Sequence, residues 1–173
     1  MTCLILTVLG PDRPGLVEAL AAPIAAHGGN WLESRMAHLA GKFAGILRLE
    51  VAEAQAAPLA AALAALEGQG LKVAVERDDA PPAPAGLRFM VVELEGLDRP
   101  GLVKEIAQVL AERGVNIEEL VTDRTTAPMS GEEIFRSRAW IHVPARVDAA
   151  ELRGRLERLA TDLMVQVNLA EPG

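Results

Sequence analysis

Hydrophobic residues change their spacing several times along the first half of the chain. A nearly continuous apolar run at residues 3–9 ends at Gly10-Pro11 and predicts a buried strand. Apolar residues then recur every three or four positions over 16–24, up to the glycines at 28–29. This second spacing predicts a helix that ends at those glycines.

Four further elements complete a unit. Two strand-like stretches between residues 31 and 53 meet around Gly41. Leucines at helical spacing over 59–66 predict a second helix, and alternating residues at 71–75 predict a closing strand. The predicted order is β-α-β-β-α-β, which is the ferredoxin-like arrangement.

The same order returns in the second half of the chain. The patterns there predict strands at 87–94, 115–122, 134–143 and 163–169, and helices at 102–110 and 152–159. A polar, proline-rich segment at 77–86 separates the halves and predicts a linker. We therefore predict an α+β protein of two tandem ferredoxin-like domains with antiparallel sheets, residues 1–76 and 87–173.

A short motif marks the first strand–helix corner of each predicted domain. Gly10-Pro11-Asp12-Arg13-Pro14-Gly15-Leu16-Val17 returns 86 residues later as Gly96-Leu97-Asp98-Arg99-Pro100-Gly101-Leu102-Val103. An asparagine follows at a fixed distance, in Gly28-Gly29-Asn30 and in Gly114-Val115-Asn116. The shared offset indicates two homologous domains, each with a candidate ligand corner.

The Asp-Arg-Pro-Gly corner has the chemistry of an anion site. Pro14 and Pro100 suit the first helical position, and the aspartates can cap free N–H groups of the first turn. The glycines leave room for a carboxylate at the positive end of the helix dipole. The asparagine begins the strand beside this helix, and its amide can accept from an ammonium group. The candidate ligand residues are Asp12, Arg13, Gly15, Leu16 and Asn30 in the first copy and Asp98, Arg99, Gly101, Leu102 and Asn116 in the second.

These residues also have a purely structural interpretation, because Asp-x-Pro-Gly starts helices in many proteins and gene duplication copies structural turns. If a ligand binds, we expect a small amino acid where the turn of one domain meets a neighbouring domain. Its carboxylate would lie near Gly15 or Gly101, and its ammonium group near Asn30 or Asn116. The sequence does not choose between the two corners.

Composition and charge exclude several other functions. A net charge of −7, spread evenly along the chain, provides no basic face and disfavours direct nucleic-acid binding. The single cysteine excludes an internal disulfide and favours a reducing compartment. No apolar run approaches the roughly 20 residues that span a bilayer, and the N-terminus does not resemble a signal peptide. We expect a cytoplasmic protein without a membrane partner.

No residues with catalytic or metal-binding spacing are visible. The three histidines are scattered, Ser130 has no assigned base, and Glu118-Glu119 has the character of solvated charge. We therefore expect no enzyme activity, no metal and no cofactor. Trp31 and Trp140 occupy strand positions and are expected in the core, where exposure of either would indicate a protein interface.

The repeated Asp-Arg-Pro-Gly-Leu-Val turn with its Gly-x-Asn resembles the ACT domain, twice, over essentially the whole chain. This resemblance implies small-molecule sensing modules of amino-acid metabolism. The second copy adds a longer loop between its middle strands, with Pro128, Met129, Ser130 and Gly131. That loop, followed by Ile134-Phe135, is similar to the glycine cleavage system transcriptional repressor family.

The second resemblance implies an accessory transcriptional regulator that responds to glycine and works with a LysR-type activator, and we expect glycine or serine as the ligand. We expect a regulatory binding module and a homo-oligomer, because open sheet edges invite pairing. The loop at 128–131 is expected to be mobile and to contact the ligand or the partner. The alternative is an interaction module that binds no ligand.

Overall fold

The computed structural model describes residues 1–79 and 86–171, and its contacts divide the chain into two compact units, one in each half. Most of the linker predicted at 77–86 lies outside the described residues, and the predicted domain boundaries stay predictions. Within the described part of the chain, no helix is long and apolar enough to cross a membrane.

The first unit is a four-stranded antiparallel sheet with two helices. Its strands stand in the order β2-β3-β1-β4. A short 3-10 turn at Ala65–Gln69 follows the second helix. The elements are β1 (Thr2–Pro11), α1 (Leu16–Ala26), β2 (Asn30–Leu39), β3 (Lys42–Val51), α2 (Glu53–Ala64) and β4 (Lys72–Arg77).

The second unit repeats this topology, with the strand order β6-β7-β5-β8. Its elements are β5 (Arg88–Leu97), α3 (Leu102–Ala111), β6 (Asn116–Thr126), β7 (Glu133–Val143), α4 (Ala149–Leu163) and β8 (Val165–Ala170). The α+β fold of two tandem ferredoxin-like domains is therefore confirmed.

Each core lies between the helices and one face of its sheet. Alternate residues of β1, namely Leu4, Leu6 and Val8, are buried and meet the apolar stripe of α1, which includes Leu20 and Ile24. The second unit buries the equivalent residues of β5 and α3. The apolar residues that recur every two positions in the strands and about every 3.6 positions in the helices thus face each other on one side of each sheet.

The two tryptophans lie on different faces. Trp31 packs against the first core, as expected. Trp140 stands between buried Ala139 and Ile141, and it therefore points to the opposite, open face of its sheet. The Arg138 guanidinium lies 5.9 Å from its ring centroid. The prediction that Trp140 belongs to the core is wrong, because strand alternation in β7 assigns the buried phase to its neighbours.

Candidate functional site

Each predicted corner ends in a left-handed glycine. Helix α1 begins at Leu16 after Gly15, whose φ is 88°, and α3 begins at Leu102 after Gly101, whose φ is 98°. This conformation favours glycine because it has no Cβ. Pro14 and its equivalent therefore precede the helix by two residues, so the prediction that they take the first helical position is wrong.

The aspartates hold the corners in place rather than capping the helices. The Asp12 N–H donates to the carbonyl of Gly41 at 2.9 Å, and the Asp98 N–H donates to the carbonyl of Glu133 at 2.8 Å. The Asp98 carboxylate lies 3.4 Å from Nη1 of Arg124. The predicted capping role of Asp12 and Asp98 is wrong, because glycine occupies the N-cap position in both copies.

The start of each helix leaves backbone donors without a helical acceptor. The first helical bonds run from the Ala19 N–H to Gly15 at 2.9 Å and from the Glu105 N–H to Gly101 at 3.0 Å. The N–H groups between those residues have no carbonyl four positions earlier in the helix, and the glycine cap has no side chain to offer them. Both corners can therefore present N–H groups to an anion.

The other corner residues differ between the copies. The side chains of Leu16 and Leu102 are buried, so only their backbone could contact a ligand. Arg13 donates to the carbonyl of Gln69 at 3.1 Å, whereas Arg99 donates to both carboxylate oxygens of Glu105 at 3.1 and 3.3 Å. The second corner therefore places an ion pair beside its glycine, and the two corners are not equivalent.

The asparagines lie at the opposite end of their own sheets. Asn30 is opposite Glu50 in the pairing of β2 with β3, and Glu50 is opposite Cys3 in β1. Strand β1 continues for eight residues beyond Cys3 to reach Pro11, which is about 25 Å at the usual rise per residue. Asn116 has the same position in the second sheet, opposite His142. The structure does not bring the turn and the asparagine of one domain together.

Asn116 belongs to a polar cluster that the sequence analysis missed. Its amide Nδ2 donates to Oε1 of Glu118, and Nδ1 of His142 lies 3.1 Å from the same oxygen. The ring of Phe89 packs edge-on against His142, with ring centroids 5.4 Å apart. The interpretation of Glu118 as a simple solvated charge is therefore wrong. Its spacing of two residues from Asn116 was the available signal.

The long loop of the second copy spans residues 127–132 and joins β6 to β7. The Ala127 N–H donates to the carbonyl of Glu132 at 2.7 Å, and the Gly131 N–H donates to the carbonyl of Ala127 at 2.9 Å. Met129 is fully exposed.

Arg124 connects this hairpin to the corner, since it lies 3.4 Å from Asp98 and 3.3 Å from Glu133. The mobility and binding role of Pro128, Met129, Ser130 and Gly131 stay predictions.

A groove of about 640 Å³ lies on the open face of the second sheet. Two ion pairs cross it, Arg136 with Glu95 at 2.9 Å and Arg138 with Glu93. The hydrogen bond from Arg138 and its charge lower the pKa of Glu93. None of the predicted ligand residues lines the groove.

Within residues 1–79 and 86–171, no group of three His, Cys, Asp or Glu side chains could hold a metal.

Comparison with known proteins identifies the family. The ACT domain matches residues 2–76 and again residues 90–161. The glycine cleavage system transcriptional repressors of Escherichia coli (strain K12) and Shigella flexneri are each 30% identical to the chain over 167 residues, which cover 94% of this chain and 86% of theirs. The chain belongs to the glycine cleavage system transcriptional repressor family. The resemblance seen in the sequence is thus confirmed.

The tandem ACT architecture of this family member also matches a solved structure over its full length. The crystal structure of an unknown protein from Galdieria sulphuraria superposes with a TM-score of 0.85, covers 99% of each chain and is 28% identical. The two-domain fold that carries the motif with Gly15 and Asn30, and again with Gly101 and Asn116, therefore occurs in another protein of known structure.

Proposed function

We propose that this tandem ACT protein is a non-catalytic, cytoplasmic regulator that binds a small amino acid and acts through a partner DNA-binding protein. Membership of a family of transcriptional repressors supports the regulatory role. The net charge of −7 supports an indirect action on DNA, because phosphate binding requires a basic face. Family resemblance favours a LysR-type activator as the partner and glycine as the ligand, and serine is the second candidate ligand.

The open helix start carries the proposal. Both ACT domains hold a left-handed glycine where a side-chain cap would otherwise stand, and both leave first-turn N–H groups at the positive end of a helix. An amino-acid carboxylate matches these donors in charge and size. We expect it near Gly15 or Gly101.

The part of the proposed site that binds the ammonium group comes from another domain. Asn30 and Asn116 are about 25 Å from the turn of their own domain, too far for one free amino acid to reach both. The ammonium group therefore meets an asparagine of a neighbouring ACT domain. A homo-oligomer provides such neighbours.

The number of contacts fits a metabolite sensor. Charge-assisted hydrogen bonds contribute about 1.5–3 kcal/mol each. A few of them, reduced by the cost of immobilising a free ligand, correspond to affinities between about micromolar and millimolar.

Titration calorimetry of the full chain with glycine, serine and other small amino acids tests the proposal. We expect binding that Asn30→Ala or Asn116→Ala weakens without unfolding the protein. Asn168→Ala is a matched control, because Asn168 lies on the open face of the second sheet and outside both corners. Absence of heat with every amino acid would exclude a sensor of this kind.

One observation favours a second function, an interaction module without a ligand. Trp140 lies beside Val121 and two Arg–Glu pairs on the open face of the second sheet. Tryptophan and arginine are enriched where proteins bind each other. Trp140→Ala would then reduce self-association or partner binding in sedimentation experiments, while amino acids would have no effect on either.

A further inference from the structure

The second strand of each ACT domain carries a β-bulge at the same place. The strand pairing shifts between Trp31 and Glu33 in β2 and between Ile117 and Glu119 in β6. The extra residue is Leu32 in the first copy and Glu118 in the second, in each case two positions after the asparagine. A bulge redirects the side chain of its extra residue, and bulges are frequent beside binding sites.

Glu118 is held in position through one of its two oxygens, and no contact with another described residue involves the second. Nδ2 of Asn116 donates to its Oε1, and Nδ1 of His142 lies 3.1 Å from the same atom. Neither contact uses Oε2. The side chains of Glu118 and His142 are 40% and 31% exposed, so a ligand can reach them from solvent.

We infer that Glu118 is a specificity-determining residue that binds the ammonium group of the amino acid at the Asn116 end of the second sheet. This inference rests on the proposed function. Oε2 accepts a charge-assisted hydrogen bond from the ammonium group. Because Nδ2 of Asn116 is directed to Glu118, the amide oxygen remains as a second acceptor for the same group.

The first copy lacks this arrangement. Its bulge residue, Leu32, is apolar and exposed, and the place of His142 is taken by Glu50, which lies on β3 opposite Asn30. The carboxylate therefore belongs to the neighbouring strand and not to the bulge. The asparagine ends of the two sheets therefore present different surfaces to a ligand, and among the described residues only the second has an amide, a carboxylate and an imidazole in contact.

The test compares amino acids with their hydroxy analogues, which keep the carboxylate and lack the ammonium group. The full chain is titrated by calorimetry with glycine and serine against glycolate and glycerate. Wild type should prefer the amino acids. Glu118→Leu, which installs the residue of the first copy, should weaken amino-acid binding about tenfold or more and leave the analogues nearly unchanged. Glu118→Gln, which keeps the shape without the charge, should fall between.

Matched variants in the first copy control for effects on the strand. Leu32→Ala and Glu50→Gln should leave the preference for the amino acid intact, and thermal melting identifies any variant that fails to fold. If Glu118→Leu keeps the wild-type preference, or if Glu50→Gln removes it, the inference is overturned while the proposed function stands. If wild type binds no amino acid, both are overturned.

Discussion

Gly15 and Asn30 lie at opposite ends of the first sheet, although only fifteen residues separate them in sequence. Helix α1 runs back along the sheet between them, and α3 does the same between Gly101 and Asn116. One amino acid cannot contact both residues of one domain. Under the proposed function, each ACT domain therefore offers two half-sites, a helix start for the carboxylate and an amide for the ammonium group, and a complete site requires two domains.

The role of the helix start can be tested by removing one backbone donor. Val103 is exposed, and its N–H precedes the first helical bond of α3. Val103→Pro should weaken amino-acid binding about tenfold, because a hydrogen bond to the charged carboxylate is lost, and proline is tolerated in a first turn. Calorimetry with Val103→Ala as the control, which keeps the N–H, measures the effect.

The same pair of substitutions at Val17 identifies the corner that binds, since Val17 is exposed and occupies the equivalent place in α1. Reduced affinity only for Val17→Pro would assign the anion half-site to the first domain. If the proline variants at both positions titrate like their alanine controls, the helix starts are structural.

Glycine substitutions should separate backbone strain from helix propensity. Gly101→Ala is expected to cost about 1–2 kcal/mol of unfolding free energy, because φ is 98° there and a Cβ would also stand 3.5 Å from Oε1 of Glu105. Gly154→Ala in α4 should instead stabilise by about 0.5–1 kcal/mol, since its Cβ would approach only Nη1 of Arg158, at 3.7 Å. Urea denaturation measures both. Equal effects at the two glycines would contradict the strain argument.

The element order of both domains could be predicted because the spacing of apolar residues records which side of each element is buried. Leu16, Leu20 and Ile24 are all buried on one stripe of α1, as their spacing indicates. The helix start could not be predicted to the residue. Pro14 is compatible with the first helical position, and only the left-handed φ of Gly15 moves the start to Leu16.

Contacts between side chains on neighbouring strands could not be predicted from the sequence, for a different reason. Glu118 and His142 are 24 residues apart, and their contact depends on the register of β6 with β7 and on the bulge. Register is set by the whole sheet and not by a local pattern. The prediction that Trp140 is buried failed because this large apolar residue lies on the open face of β7, whereas its neighbours in the strand face the core.

Shortening the long loop should preserve the fold and change binding. Replacing residues 127–132 with Ala-Gly, the turn of the first copy, keeps the pairing of Thr126 with Glu133. Ala40 and Gly41 have φ values of 48° and 73°, which suit a two-residue hairpin. We expect the melting temperature to change little and amino-acid affinity to fall, because Arg124 couples this hairpin to Asp98.

Met129→Ala separates the loop tip from the loop length, since Met129 is fully exposed and its loss cannot disturb the core. If partner binding requires the tip, this variant weakens it without changing amino-acid affinity. If the shortened protein matches wild type in both, the loop is an insertion without a binding role.

Two surface ion pairs should make the free energy of unfolding depend on pH in the acidic range. The hydrogen bond from Arg138, at 2.8 Å, lowers the pKa of Glu93, and the hydrogen bond from Arg77 lowers the pKa of Glu53. A carboxyl with a lowered folded-state pKa is protonated first in the unfolded chain as the pH falls. Its stabilising effect is therefore present above a pH of about 4.5 and is lost as the pH drops through the folded-state pKa.

Thermal melting between about pH 6 and pH 3 should therefore show a falling melting temperature, and Glu93→Gln should reduce the slope. Both pairs lie on the surface, so the effect should be modest and should shrink in high salt. Arg138→Gln should produce the same change in slope, and the double variant no further change, because the two side chains form one interaction. A slope as steep as that of the wild type in all three variants would assign the acid sensitivity to other carboxylates.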